Sequence, residues 1–145
     1  MKNYKEILSD EEKKALVDLI HVAEQETSCE IKVHLNDNCK GDVLQKACEL
    51  LNSLGLVKTK ARNGIILYLA VKDRKYAIAG DEGILARVPN DFWTETNKQS
   101  IAFFKKEQYF EGLQHSILQI TKTVKTDFPV EAEDHNEISN DISYE

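Results

Sequence analysis

The stretch Gly64-Ile-Ile-Leu-Tyr-Leu-Ala-Val71 decides the fold, because it is the longest apolar run in the chain. An unbroken run of this kind is typical of a central strand that is buried on both faces. A polar turn at residues 72–74 follows it, and Lys75-Tyr-Ala-Ile-Ala-Gly80 then resumes an apolar pattern. The two segments therefore predict an antiparallel β-hairpin.

Amphipathic segments precede the hairpin. Ser9-Asp-Glu-Glu12 is a capping box, which predicts a helix from there to about Thr27. The segment Glu30-Ile-Lys-Val-His-Leu35 alternates polar and apolar residues, so it predicts a half-buried strand with His34 facing solvent. A second helix is predicted from Asp42, and it ends at Gly55 in a left-handed conformation.

Two more helices follow the hairpin, one from residues 89–91 to about residue 106 and one over residues 109–125. The element order α-β-α-β-β-α-α predicts an α/β fold, namely a three-layer α/β/α sandwich. Its small mixed sheet joins a parallel βαβ unit to the antiparallel hairpin, with four main helices flanking it. The length of 145 residues favours one domain over residues 1–129, followed by an acidic, partly ordered tail over residues 130–145.

Charge and composition exclude several classes of protein. The net charge is −6, but residues 1–126 carry 18 acidic and 19 basic side chains, so the acidity lies in the tail. No basic stripe is present for nucleic acid, and no apolar run has the length of about 20 residues that a membrane span needs. Three cysteines without a CxxC pair favour reduced thiols and a cytoplasmic location. We expect a monomer with no nucleic-acid or membrane partner.

Motif searches leave one candidate site. Glycine-rich nucleotide loops and the usual metal or nucleophile motifs are missing from the sequence. The predicted topology, however, brings the start of both parallel strands and the end of the hairpin to one edge of the sheet. Five residues with oxygen-bearing side chains are expected near that edge: Glu30, Asn63, Asp81, Glu82 and Asp91. Hard divalent cations prefer such oxygens, so the edge predicts a Ca²⁺ or Mg²⁺ site.

Two plainer interpretations of the same residues remain open. A Gly-Asp-x-Gly turn is often only a turn, in which Asp81 hydrogen-bonds its own backbone. Glu30 is equally able to pair with Arg62. In both cases the convergence of carboxylates has a structural explanation without a metal.

Several short motifs together resemble the TPM domain family over about residues 7–138. They are Thr59–Tyr68, Asp73-Arg-Lys75, Ala79–Ile84, Asp91-Phe-Trp93, Tyr109–Leu113 and Asn136-Glu137. The resemblance implies an α/β/α sandwich. Thylakoid-lumen members of the family have been described as acid phosphatases and linked to photosystem repair, and calcium in particular is associated with the domain. Many exported members carry an aromatic residue where this chain has Asp81, which makes its turn more anionic.

Three functional hypotheses follow. The first is a divalent-cation-binding domain whose Ca²⁺ or Mg²⁺ site orders loops or docks a protein partner. The second is a weak metal-dependent phosphomonoesterase, in which Arg62 orients the phosphate and Glu30 is the base. The third is a metal-free interaction module, in which Asp81 is only a turn residue.

Overall fold

Four strands form one mixed sheet in the computed structural model, which describes residues 2–130 and 138–144. The strands are β1 (Glu30–Asn36), β2 (Gly64–Ala70), β3 (Lys75–Gly80) and β4 (Ser143–Tyr144), in the order β3-β2-β1-β4. Strands β1 and β2 are parallel, whereas β2 and β3 form an antiparallel hairpin. The predicted mixed sheet is therefore confirmed.

Helices cover both faces of this sheet. They are α1 (Asp10–Glu24), α2 (Val43–Ser53), the short α3 (Glu82–Leu85), α4 (Asn90–Phe104) and α5 (Tyr109–Val124). One core cluster joins α1 and α5 to one face of the sheet, and a second joins α2 to the other face. This arrangement confirms the three-layer α/β/α sandwich with four main helices.

Local sequence signals explain where the helices begin and end. The Ser9 hydroxyl accepts from the Glu12 N–H at 3.1 Å, and the Ser9 N–H donates to the Glu12 carboxylate at 2.9 Å, so the capping box forms. Helix α2 is followed by Gly55 at φ +78°, the left-handed conformation predicted for it. Helix α1 ends at Glu24, three residues before the predicted end.

The prediction that β1 is half-buried, with His34 facing solvent, was wrong. All seven residues of β1 are buried, including the polar row formed by Glu30, Lys32, His34 and Asn36. The cause is a polar cover supplied by the C-terminal segment. Lys32 Nζ donates to the Ser139 carbonyl at 3.0 Å, and His34 Nδ1 lies 2.7 Å from Ser143 Oγ.

The cover is anchored by β4, which pairs in parallel with β1 at His34 and Leu35. It belongs to the acidic tail predicted from residue 130, of which residues 138–144 lie against the sheet and residues 131–137 fall outside the described residues. In the described part of the chain, no helix has both the length and the apolar character required to cross a membrane.

Candidate metal centre

Backbone pairing brings the ends of three strands together at one end of the sheet. Glu30 pairs with Gly64, and its N–H donates to the Asn63 carbonyl at 3.4 Å. The Asp81 N–H donates to the Gly64 carbonyl at 2.9 Å. The backbone therefore converges as the sequence predicts, and the side chains decide which residues share a site.

Asp81 and Glu82 are bound by Arg62 and form with it what we call the arginine cluster. Arg62 Nε and Nη2 donate to the two oxygens of Asp81 at 2.6 and 2.9 Å, and Nη1 donates to Glu82 Oε1 at 3.1 Å. Such a bidentate pair is strong as well as geometrically specific. The Asp81 side chain is only 7% exposed, whereas that of Arg62 is 40% exposed. Hydrogen bonding to Asp81 raises the pKa of the Arg62 guanidinium, which stays charged.

Two packed loops hold the arginine cluster in place. Arg62 adopts φ +52°, and its N–H donates to the Thr59 carbonyl at 3.2 Å. The Gly83 N–H donates to the Arg62 carbonyl at 2.9 Å. A Cβ atom at Gly83 would collide with the carbonyl oxygens of Ala61 and Arg62, so only glycine permits this approach. The guanidinium thus binds both oxygens of Asp81 and one oxygen of Glu82, two of the residues predicted to bind a cation.

Asn63 and Asp91 are placed in other surroundings. Asn63 is buried, and its Nδ2 donates to Ser28 Oγ at 3.1 Å. Asp91 lies in the first turn of α4 and lines a shallow groove between α4 and α5. The structure therefore does not gather all five predicted oxygen donors around one point.

Glu30 instead faces Glu24, and we call these two residues the acid pair. Glu24 is the last residue of α1, and its Oε2 accepts from the Ile31 N–H at 3.3 Å. Its Oε1 is buried and receives no hydrogen bond of good geometry from the described residues. Burial, followed by hydrogen bonding and charge repulsion from Glu30, raises the pKa of Glu24 to about 9. The acid pair therefore retains a proton at neutral pH.

The C-terminal segment closes over the acid pair. A hydrogen bond from Asn140 to Glu24 lowers the pKa of Glu24. It partly opposes the rise in pKa that burial and Glu30 cause. The Lys32 ammonium is attracted by both Asp141 and Glu24, although burial has the larger effect and lowers its pKa. One basic side chain, Lys32, and three acidic side chains, Glu24, Glu30 and Asp141, thus lie close together here, with the amide of Asn140.

Glu24 is the residue that sequence reasoning missed. No motif marks it, because its partner Glu30 lies beyond a turn and the contact depends on how α1 packs on β1. Within residues 2–130 and 138–144, no group of three His, Cys, Asp or Glu side chains is arranged to hold a metal ion. A cation at the acid pair would therefore rely on two carboxylates supplemented by neutral oxygens.

Similar folds occur among solved structures. The BA42 protein from the psychrophilic bacterium Bizionia argentinensis matches with a TM-score of 0.90 and 36% identity, over 100% of both chains. An N-terminal domain from P. gingivalis matches with a TM-score of 0.73 and 16% identity, over 85% of this chain and 80% of that one. The N-terminal domain of the cg2496 protein from Corynebacterium glutamicum matches with a TM-score of 0.58 and 17% identity, over 88% and 83%. The last two likenesses concern the fold alone.

None of the curated proteins compared with the chain matches it. The family model for the TPM domain, by contrast, matches residues 1–123, which form most of the chain. The match includes the loops of the arginine cluster, both residues of the acid pair and the first three strands. The chain therefore belongs to the TPM domain family.

Proposed function

We propose that this protein binds a divalent cation, Ca²⁺ or Mg²⁺, at the acid pair of Glu24 and Glu30. The observation that carries the proposal is the buried Glu24 Oε1 beside a second carboxyl group, with the pKa of Glu24 raised to about 9. Two adjacent carboxylates that are largely shielded from water need a proton or a cation between them, because their charges repel in a medium of low dielectric. A divalent cation that displaced the proton would satisfy both groups.

The chemistry of the surrounding side chains suits a hard cation. Carboxylate and amide oxygens are the ligands that Ca²⁺ and Mg²⁺ prefer, and both ions commonly complete their coordination with water. Glu24 and Glu30 supply the charge, and the side-chain amide of Asn140, which donates to Glu24, would have to turn its oxygen towards the ion to bind it. Lys32 already balances part of the negative charge, so we expect moderate rather than tight binding.

The proposed cation site includes only one of the five residues that the sequence predicts as ligands. Both oxygens of Asp81 are engaged by Arg62, and Glu82 shares the same guanidinium. A cation at the arginine cluster would have to displace an arginine that makes three charge-assisted hydrogen bonds. Glu30 remains part of the proposed site, whereas Asn63, Asp81, Glu82 and Asp91 do not.

The role of the ion in this proposal is to fasten the C-terminal segment. The acid pair connects the end of α1 to the start of β1, and Asn140 reaches it from the segment that carries β4. An ion bound there stabilises the folded state by linkage, and it orders the surface on which a protein partner would dock.

The three free cysteines support a reducing, cytoplasmic setting for this protein. The same proposal takes the protein to be a monomer.

An amide NMR titration of chelator-stripped protein with Ca²⁺, then Mg²⁺, tests the proposal. We expect saturable shifts at Glu24, Glu30 and Asn140. Glu24→Gln should abolish them, because glutamine removes the charge and keeps the shape. Asp81→Asn is the matched control and should leave the titration unchanged. If Asp81→Asn lost cation binding while Glu24→Gln retained it, the cation site would lie at the arginine cluster and not at the acid pair.

The phosphomonoesterase alternative assigns phosphate orientation to Arg62 and the base to Glu30. Arg62 would first have to release Asp81 and Glu82, and Glu30 faces another acid. The hypothesis predicts that phosphate release requires a divalent cation and is lost in Asp81→Asn. Turnover of a phosphomonoester that survives metal chelation would sink it.

A further inference from the structure

A cavity of about 450 Å³ lies between the turn after β2 and the loop that joins α4 to α5. Four of its lining residues are apolar and buried or half-buried, namely Leu69, Val71, Ile101 and Phe104. Ligand pockets in proteins typically measure about 300–1,000 Å³. At the ~30 Å³ that one water molecule occupies in the liquid, this cavity admits a molecule of about 15 non-hydrogen atoms.

An aromatic wall forms one side of the cavity. The rings of Phe104 and Tyr109 lie nearly parallel, with centroids 6.1 Å apart and planes at 20°. Tyr76 supports the Phe104 ring edge-on, at a centroid distance of 4.9 Å. A Cβ atom at Gly112 would collide with the Phe104 ring, so this glycine of α5 allows the ring to lie where it does. The wall is therefore fixed by packing and offers an aromatic surface to a ligand.

Positive charge collects at the mouth of the cavity. Arg74, Lys105 and Lys106 line it, and all three are exposed. None of the three makes a side-chain hydrogen bond or an ion pair with the residues that the structure describes. Their charges are thus available to a ligand.

The acidic residues nearby leave this positive charge in excess. Asp73 precedes Arg74, but its carboxylate accepts from the Cys39 N–H at 2.7 Å and from Asn38 Nδ2 at 3.2 Å, on the loop that follows β1. Glu107 lines the cavity itself and is exposed. Among the described lining residues, three positive side chains therefore face one negative side chain.

The Tyr109 hydroxyl adds a hydrogen-bond donor at neutral pH. Burial, followed by the charge of Glu107, raises the pKa of Tyr109 and outweighs the opposing effect of Arg74. Both charged side chains therefore lie near the hydroxyl, which makes no hydrogen bond with the described residues. An anionic group between Arg74 and Tyr109 would gain both an opposite charge and a hydrogen bond.

We propose that this cavity binds a small carboxylate with an apolar body. The body packs on Phe104 and Tyr109, while the carboxylate pairs with Arg74 and Lys105. A guanidinium presents a planar fork that matches the two oxygens of a carboxylate. Glu107 on the same rim disfavours a head group with two negative charges, such as a phosphate monoester. The cavity lies at the end of β2 away from the acid pair, so binding does not depend on a bound cation.

Phenylbutyrate is the probe in an amide NMR titration of the whole chain. We expect saturable shifts at Val71, Arg74, Phe104 and Tyr109. Phenylbutyramide has the same shape without the charge, and acetate has the head group without the apolar body. Each should bind at least about tenfold more weakly than phenylbutyrate. Equal binding of either compound, no saturable shift with phenylbutyrate, or shifts confined to other parts of the chain would overturn the proposal.

Substitutions at the exposed rim test which side chains hold the carboxylate. Arg74→Gln and Lys105→Gln should each weaken phenylbutyrate binding about threefold or more, because each removes one charge partner. Lys72→Gln is the matched control and should leave the affinity unchanged, since Lys72 lies in the same turn but pairs with Asp37 at 3.8 Å. Equal affinity in Arg74→Gln and the wild type would overturn the assignment. So would tighter binding of a phosphate ester with the same apolar body.

Discussion

The arginine cluster and the acid pair lie at the same end of the sheet but neutralise their carboxylates in opposite ways. Asp81 is balanced by the guanidinium of Arg62, whose hydrogen bonds occupy both of its oxygens. Glu24 is balanced by a proton, because burial and the neighbouring Glu30 both disfavour its charged form. A carboxylate that is paired with arginine is already satisfied, whereas a protonated acid pair can exchange its proton for a cation.

Gly83→Ala should have the largest effect, and it acts on the arginine cluster. The added methyl group would collide with the backbone carbonyl oxygens of Ala61 and Arg62, so the backbone of one loop would have to shift. Overpacking of this kind costs about 1–3 kcal/mol, which urea unfolding at neutral pH would measure. Calcium-induced shifts at the acid pair should persist in this variant. Unchanged stability would show that the two loops are not packed as described.

The pH dependence of stability should reveal the acid pair. The folded-state pKa of Glu24 is about 9, above its ordinary value of 4.5, so the folded state keeps a proton that the unfolded state releases. The stabilisation is full below about pH 4.5 and is lost as the pH rises towards 9. Because Glu24 is only partly buried, we expect a loss of about 1–2 kcal/mol in the free energy of unfolding between pH 5 and 9.

Glu24→Gln is the matched variant for this measurement in the presence of chelator. Glutamine resembles the protonated acid but does not titrate, so the slope of stability against pH should flatten. A wild-type stability that rises with pH over this interval would contradict the assignment. So would a slope that Glu24→Gln leaves unchanged.

A smaller effect is expected at the edge of the polar cover. Ser143→Ala removes the hydroxyl that lies 2.7 Å from His34 Nδ1, and leaves that buried nitrogen without this contact. Loss of one such hydrogen bond costs about 0.5–1.5 kcal/mol. Thermal unfolding would measure it, with Ser53→Ala on the exposed face of α2 as control. Equal Tm values for the two variants would imply that β4 contributes little to holding the segment.

The hairpin and the helices were predictable because local patterns determine them. The apolar run beginning at Gly64 requires burial on both faces, and the capping box at Ser9 fixes the start of α1. The polar face of β1 was not predictable in this way. His34 alternates with apolar residues as an exposed side chain would, and its cover, β4, is two residues long and too short for any periodic signal.

The candidate site was predictable only in part for a related reason. Backbone topology placed Glu30, Asn63 and Asp81 at one end of the sheet, because strand order and direction follow from the hairpin. Side-chain pairing depends on tertiary distances that no spacing encodes. Arg62, which was equally able to pair with Glu30, pairs with Asp81, and Glu24 joins Glu30 only once α1 packs against β1.

Proton release on calcium binding tests the central claim most directly. Calorimetric titration at pH 7 in two buffers of different ionisation enthalpy counts the protons that leave as the ion enters. We predict the release of about one proton from the wild-type protein and no measurable calcium binding in Glu24→Gln. Binding without proton release, or unchanged binding in Glu24→Gln, would contradict a cation site at the acid pair.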